Sequence, residues 1–377
     1  MTSTPTNSPR FFGARLRVQR LFTGMSQAQL GAASGVAASM ISRLEHDDRR
    51  PGIDVMSALA ASLQVDSRIF SEPVVHEARI DEVHFRHRAR TPVGPRNIAL
   101  GHATLLGELI DFFDANLRLP QVRLPTVQSD LSTEAIECAA ELMRRGLGIP
   151  NDCPLASLVG TLESAGVLVV LAHSGHRDVD AFSLHRSLRP LIMLNRKDSG
   201  SRVNFTGAHE LGHLVLHRGI ETGDGETERQ ADRFASAFLM PAKAFAAEFP
   251  RPLGSRLDWP ALTGLKQRWR VSIQAMVRRA FDLGLIAANT YRIASQYASS
   301  RGWRRADPGE PAEFSPDEPR LLRDCFGAAS QLRDWTPAKI ASRLAWNVDL
   351  LRTVSCIDDL SLEDAHPHNV LLLAKRR

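Results

Sequence analysis

The chain has 377 residues, 43% hydrophobic and 24% charged, which suits two or three globular domains and excludes a disordered or low-complexity polymer. A formal net charge of +5 and a pI near 9.3 permit a nucleic-acid partner without demanding one. Four scattered cysteines exclude a disulfide scaffold, and the longest apolar run, near Gly166 to Ala172, is too short to span a bilayer. The first ten residues lack the apolar core of a secretory signal, so the expectation is a cytoplasmic protein with no membrane partner.

Residues 1–9 read as a disordered tail. Residues 10–75 read as five short helices. Ser26 and Gln29 form a capping box that opens one of them, Gly35 allows a tight turn, and Val36, Ile41 and Leu44 pack the next helix on the first. This segment resembles the Cro/cI-type helix-turn-helix module (XRE family). The resemblance implies a double-stranded DNA partner and a homodimer, with the second helix of the motif, about Ala38 to Glu45, in the major groove. Ser39, Ser42 and Arg43 are then the candidate base or phosphate contacts, Gln27 the backbone anchor, and Arg15, Arg49 and Arg50 further phosphate contacts. Ala37 and Ala38 depart from the polar residues common there, which removes a helix cap and leaves methyl contacts and DNA shape to carry readout.

Residues 76–128 form a connector. Ala78 to Arg88 alternates weakly and reads as a strand or extended arm, and the cluster Arg86, His87, Arg88 and Arg90 reads as a solvated charge run. Ile98, Leu105, Leu106, Leu109 and Phe112 predict one long helix over Asn97 to Leu117.

Residues 129–250 carry the chemistry. Helices are predicted over Thr133–Leu147 and Leu155–Ala165, then strands over Gly166–Ala172, Asp180–Leu184 and Pro190–Asn195. His173, His176 and His185 read as surface histidines of that sheet. The next apolar run contains His209-Glu210-Leu211-Gly212-His213. On a helix the two histidines share one face, about 6 Å apart along the axis, and can grip one ion. Glu210, beside the pair, can take a proton from water on that ion. Nitrogen and carboxylate ligands in an open tetrahedral site suit Zn2+. His217 stands about 12 Å from His209 on a straight helix, too far to share the ion, and is read as a support or helix-end charge. The following helix buries Ala231, Phe234, Ala235, Phe238 and Leu239, with Glu228 at the margin of that stripe and Asp232 one turn on; Pro241 closes it. Glu228 is therefore the candidate third ligand and Asp232 the group that orients a ligand imidazole, while Glu226 falls on the wet side.

Residues 251–377 read as a helical C-terminal domain without a catalytic signature. Leu265 to Leu285 is one periodic stretch, Asp307 to Pro319 a linker, and Leu321 to Ala374 a last helical group. The expected fold is mostly α with a small α+β domain: an N-terminal five-helix DNA-binding module, a central zincin-like domain with a small sheet, and the helical C-terminus.

The run from about Cys153 to Pro241 resembles the ImmA/IrrE family of metallopeptidases in Val167-Leu168-Val169-Val170, Asp180-Ala181-Phe182-Ser183, Arg189-Pro190-Leu191-Ile192, the His209–His213 helix, and Glu228 through Pro241. The resemblance implies zinc on His209, His213 and Glu228, Glu210 as general base, and a protein substrate, a helix-turn-helix repressor cleaved after stress or on induction of a mobile element. The expected function is a DNA-binding regulator carrying a zinc endopeptidase that cuts a repressor, another or itself. The alternative is a non-proteolytic regulator that uses the peptidase-like domain as a metal or ligand sensor.

Overall fold

The computed structural model describes residues 10–85, 93–125, 127, 131–172, 181–186, 188–220, 222–254, 256–303, 308 and 317–360. Arg86, His87, Arg88, Arg90, His173, His176, Asp180 and most of the 307–319 linker lie outside the described residues.

In chain order the first elements are α1 (Gly13–Phe22), α2 (Gln27–Ser34), α3 (Ala38–Glu45), α4 (Ile53–Ser62), a 3-10 turn (Ser67–Ser71), β1 (Val83–Phe85) and α5 (Val93–Asn116). The middle elements are α6 (Thr133–Gly146), α7 (Leu158–Ser164), β2 (Leu168–Ala172), β3 (Ala181–Leu184), β4 (Leu191–Asn195), α8 (Gly200–Leu216), α9 (Gly225–Leu239) and α10 (Ala242–Glu248). The last are α11 (Trp259–Trp269), α12 (Ile273–Asp282), α13 (Ala288–Ser300), α14 (Leu321–Arg333), α15 (Pro337–Arg343) and α16 (Val348–Ser355). The described residues are mostly helical with one small sheet. No described helix is long and apolar enough to cross a membrane.

The chain divides into two compact units. The first gathers α1–α5 with α14–α16; the second spans His84–Arg90 and residues 120–320. The residues predicted as one C-terminal domain are thus shared between the units in space, at about residue 320.

In the first unit, Leu16, Leu30, Ile41, Leu44, Leu59, Ile69 and Phe70 form a fully buried centre. The capping box at Ser26 is present, with both reciprocal bonds. Arg15 does not face phosphates: it is buried, its guanidinium bonded to Glu108 at 2.7 Å and to the carbonyls of Glu72 and Pro73. It satisfies two carbonyls of that loop, a task the sequence pattern does not reveal. The ring of Phe113 on α5 meets that of Phe326 on α14 edge-on, centroids 5.1 Å apart.

In the second unit the sheet order is β1-β3-β4-β2. β2 runs parallel to β4, and β3 antiparallel to β4 with Ser183 opposite Ile192. Val169, Leu171, Ile192, Leu194 and Ala181 face a core shared with Ala208, Leu211 and Val215 of α8. Helix α8 therefore lies across the sheet, and α9 packs along α8. Gly212 permits that approach: a Cβ there would stand 3.2 Å from the Cα and carbonyl oxygen of Ala231. The periodic stretch from Leu265 to Leu285 comprises the end of α11 and the whole of α12. Arg270 turns left-handed at φ 55°, and the Ser272 hydroxyl caps α12 by accepting from Ala275 N.

Candidate metal centre and nucleic-acid interface

The segment around Gly212 puts His209 and His213 one turn apart on the buried flank of α8; both are almost wholly inaccessible, as is Glu210. Asp224 starts α9 by accepting from the N–H groups of Glu226 and Thr227, and those bonds hold its carboxyl below the usual carboxylate range. That start, with the Gly212–Ala231 contact, brings Glu228 against the two imidazoles. The Nε2 atoms of His209 and His213 are 3.1 Å apart, and the Glu228 carboxylate lies 3.6 Å from the first and 3.4 Å from the second. One ligand atom from each of the three lies within 4.8 Å of the others.

The donor set fits a zinc-sized ion. Two ligand atoms about 2.0–2.1 Å from one ion at a tetrahedral angle stand roughly 3.3 Å apart. The three observed separations bracket that distance, and two imidazole nitrogens with one carboxylate leave a fourth position open.

The outward nitrogens explain why both Nε2 atoms carry lone pairs. His209 Nδ1 donates to Asp232 Oδ1 at 2.7 Å, which leaves Nε2 unprotonated. On the other imidazole the partner is His217, with the two Nδ1 atoms 2.9 Å apart. His217 Nε2 in turn meets Gln230 Oε1 at 2.8 Å, and Gln230 Nε2 donates to Glu226 Oε1 at 3.1 Å. The Glu226 carboxylate can only accept, so the Gln230 amide presents its oxygen to His217. His217 is then protonated on Nε2 and accepts at Nδ1, so His213 donates from Nδ1 and keeps Nε2 for the ion. Burial pushes the His213 and His217 imidazoles below their ordinary range, toward the neutral form a ligand needs. Sequence reasoning placed His217 near the site but missed Gln230 and the use of Glu226; their i, i+4 spacing on α9 is the signal that was available.

Substituting these supports tests the chain of tautomers. Asp232→Asn and Gln230→Leu each lower metal affinity about 10- to 100-fold in competition with a chromogenic chelator. Unchanged affinity in both would show that the supports do not set the ligand nitrogens.

Two more side chains enter the centre. Ser183 of β3 donates its hydroxyl to Glu210 Oε2 at 2.6 Å, both groups buried. His84 of β1 stacks on the His213 ring, centroids 5.3 Å apart, and its Nδ1 lies 2.7 Å from Thr222 Oγ1. Burial, reinforced by the neighbouring imidazoles, pushes His84 down to about 3. The sign follows from linkage. A histidine whose folded value is depressed gives stability that is present above pH 6.5 and is lost as pH falls from there toward about 3. Metal-free protein accordingly unfolds at lower urea at pH 5 than at pH 7, and His84→Gln flattens that dependence. A His84→Gln variant with the wild-type slope would contradict this. His185, half-buried at the end of β3, is also held below its ordinary range, first by burial and then by Arg218. Beyond the exposed flank of Asp232 lies a cleft of ≈ 750 Å³ whose wall includes Phe205, Trp259, Trp303, Arg202 and Arg278.

On α3 of the first unit, Ser39 and Arg43 are exposed, Ser42 is half-buried, and Arg49 and Arg50 project from the following turn. Ala37 supplies no side-chain cap to α3. Gln27 is committed inward: its Nε2 donates to Glu45 Oε2 at 2.8 Å, and the same carboxylate takes two bonds from buried Arg20. That network ties α1, α2 and α3 together and leaves the second N–H of the Gln27 amide to donate to a phosphate.

Residues 162–281 match a peptidase family whose model is described as the IrrE N-terminal-like domain, and residues 19–70 match one described as Helix-turn-helix. None of the curated proteins matches the chain.

Proposed function

We propose that this chain, which joins an XRE-type helix-turn-helix module to an IrrE/ImmA-like metallopeptidase domain, is a DNA-binding transcriptional regulator with zinc-dependent endopeptidase activity, acting in the cytoplasm as a homodimer. Its substrate in this reading is a helix-turn-helix repressor, another protein or a second copy of itself. The observation that carries the reading is the convergence of His209 Nε2, His213 Nε2 and Glu228, with both imidazole tautomers fixed from behind.

His209, His213 and Glu228 would hold a zinc ion, which would supply Lewis acidity toward a scissile carbonyl and toward water, whose pKa such an ion brings to about 7. Glu210 takes the proton as water adds to the carbonyl carbon, then passes it to the amide nitrogen as the C–N bond breaks. Ser183 holds the Glu210 carboxylate in one rotamer through the bond to Oε2. Asp232 and the His217–Gln230–Glu226 series keep the ligand rings from turning. The cleft beside Asp232, with its aromatic and arginine wall, is the candidate seat for a substrate side chain.

One observation favours the non-proteolytic alternative. β3, whose Ser183 touches Glu210, has β1 on its outer side, and His84 of β1 covers one face of His213. An extended substrate pairing with that edge must first displace β1. A domain held in this state binds its metal without cutting, and acts through DNA affinity alone. Incubating wild type and Glu210→Gln with candidate repressors, with and without zinc, separates the two: cleavage by wild type alone supports the peptidase, and cleavage by neither supports the sensor.

A further inference from the structure

The region without a catalytic signature repeats the architecture of the DNA-binding module. We propose that α15 and α16 form a second helix-turn-helix and that α16 presents its outer face to double-stranded DNA. The proposal rests on the reading of the first module as a DNA binder.

The correspondence runs residue by residue at one constant offset. Ser26 caps α2 by accepting from the N–H of Gln29, and Thr336 caps α15 by accepting from the N–H of Lys339. Leu30 and Ile340 occupy the same place one turn in, both fully buried. Gly31 and Ala341 follow, small residues where the second helix crosses the first. The turn then needs a left-handed residue: Gly35 has φ 71° and Ala345 has φ 54°. An L-residue enters that region only when the surrounding structure requires it, so Ala345 marks an imposed turn rather than a frayed helix end. Val36 and Trp346 come next, and α3 and α16 then begin at equivalent positions and run 8 residues each. Ile41 and Leu351, and Leu44 and Val354, are matching anchors on the inner faces, all four inaccessible. Asn347 does for α16 what Ala37 does not do for α3: its Oδ1 accepts from the N–H of Leu350. Its Nδ2 also donates to the carbonyl of Gln64 at 2.8 Å, which ties the start of α16 to the turn after α4.

The outer face has the chemistry of a groove reader. Ser39, Ser42 and Arg43 correspond to Asp349, Arg352 and Thr353, all three exposed. Asp349 and Arg352 meet at 3.1 Å across one turn. An arginine reads guanine O6 and N7, and a carboxylate accepts from cytosine N4, so the pair suits a site containing G·C pairs. Around them Arg333, Lys339 and Arg343 are exposed, the two guanidinium groups 5.7 Å and 5.9 Å from the Trp335 ring centroid. Their place at the end of α14 and along α15 is where a helix-turn-helix meets phosphates.

The test uses the full chain and a random duplex DNA library, with sequences selected by wild type, Arg43→Ala, Asp349→Asn, Arg352→Ala and the triple variant Arg333→Ala/Lys339→Ala/Arg343→Ala. All substituted positions are exposed, and thermal melts check that each variant is folded. Expected is a selected site with two kinds of sequence block in each half-site, of which Arg352→Ala loses one kind and Arg43→Ala the other, each weakening binding about 10- to 100-fold. The triple variant lowers the slope of log affinity against log salt by roughly one for each phosphate it no longer neutralises. Asp349→Asn raises affinity for unselected DNA, a gain that misfolding cannot produce. If Arg352→Ala and the triple variant select the wild-type site with the wild-type slope, the second motif does not bind DNA. Such a result with a changed oligomeric state assigns α16 to protein contacts and overturns the proposal. If wild type selects nothing, the reading of the first module fails, and the proposal with it.

Discussion

If the chain is the proposed zinc peptidase, Glu210→Gln is expected to leave the metal bound and to lower kcat/KM for repressor cleavage about 10²- to 10⁴-fold, the range that loss of a general base produces. The glutamine keeps the shape of the side chain and can still accept from Ser183, so the neighbourhood of α8 and β3 is undisturbed. What it loses is the capacity to take and return a proton. Because the proposed ligand atoms belong to His209, His213 and Glu228, metal content measured by plasma mass spectrometry is expected to stay at the wild-type value. Equal cleavage by this variant, at equal metal content, would end the catalytic account and leave the sensor.

His213→Ala is expected to abolish binding of the proposed metal. The substitution deletes one of three ligand atoms and also the hydrogen-bonded link through which His217 and Gln230 act. Expected zinc content falls from about one per chain to under about a tenth after dialysis, since ligand loss and folding free energy are linked. A thermal melt gives an independent readout. A ligand present at 100 times its Kd stabilises the native state by about 2.7 kcal/mol, so a chelator lowers the Tm of wild type. It leaves the Tm of His213→Ala unchanged. A variant that still binds one zinc, or whose Tm still falls with chelator, would mean that the ion sits elsewhere.

The legible features were those set by period and spacing within one element. The apolar stripe of α9 and the four-residue step between His209 and His213 follow from 3.6 residues per turn. Helix α5 and strands β2 to β4 were visible as runs of buried residues, with ends shifted by a few positions. The features that were not legible depend on how one element turns against another. Nothing local says that Arg15 points inward to Glu108, or that the Gln27 amide bonds Glu45. Exposed Glu226 orients Gln230 only because α9 is rotated to bring Gln230 under His217. His84 reaches His213 from a connector more than a hundred residues earlier. The C-terminal turn was hidden because alanine, not glycine, occupies its left-handed position at Ala345.

The measurement closest to the central claim is zinc-edge X-ray absorption on the purified full chain. It is expected to show about one zinc per chain, imidazole scattering from two rings, and only nitrogen and oxygen neighbours at about 2.0–2.2 Å. Sulfur at about 2.3 Å, a single imidazole, or no zinc after purification would contradict a centre built by His209, His213 and Glu228.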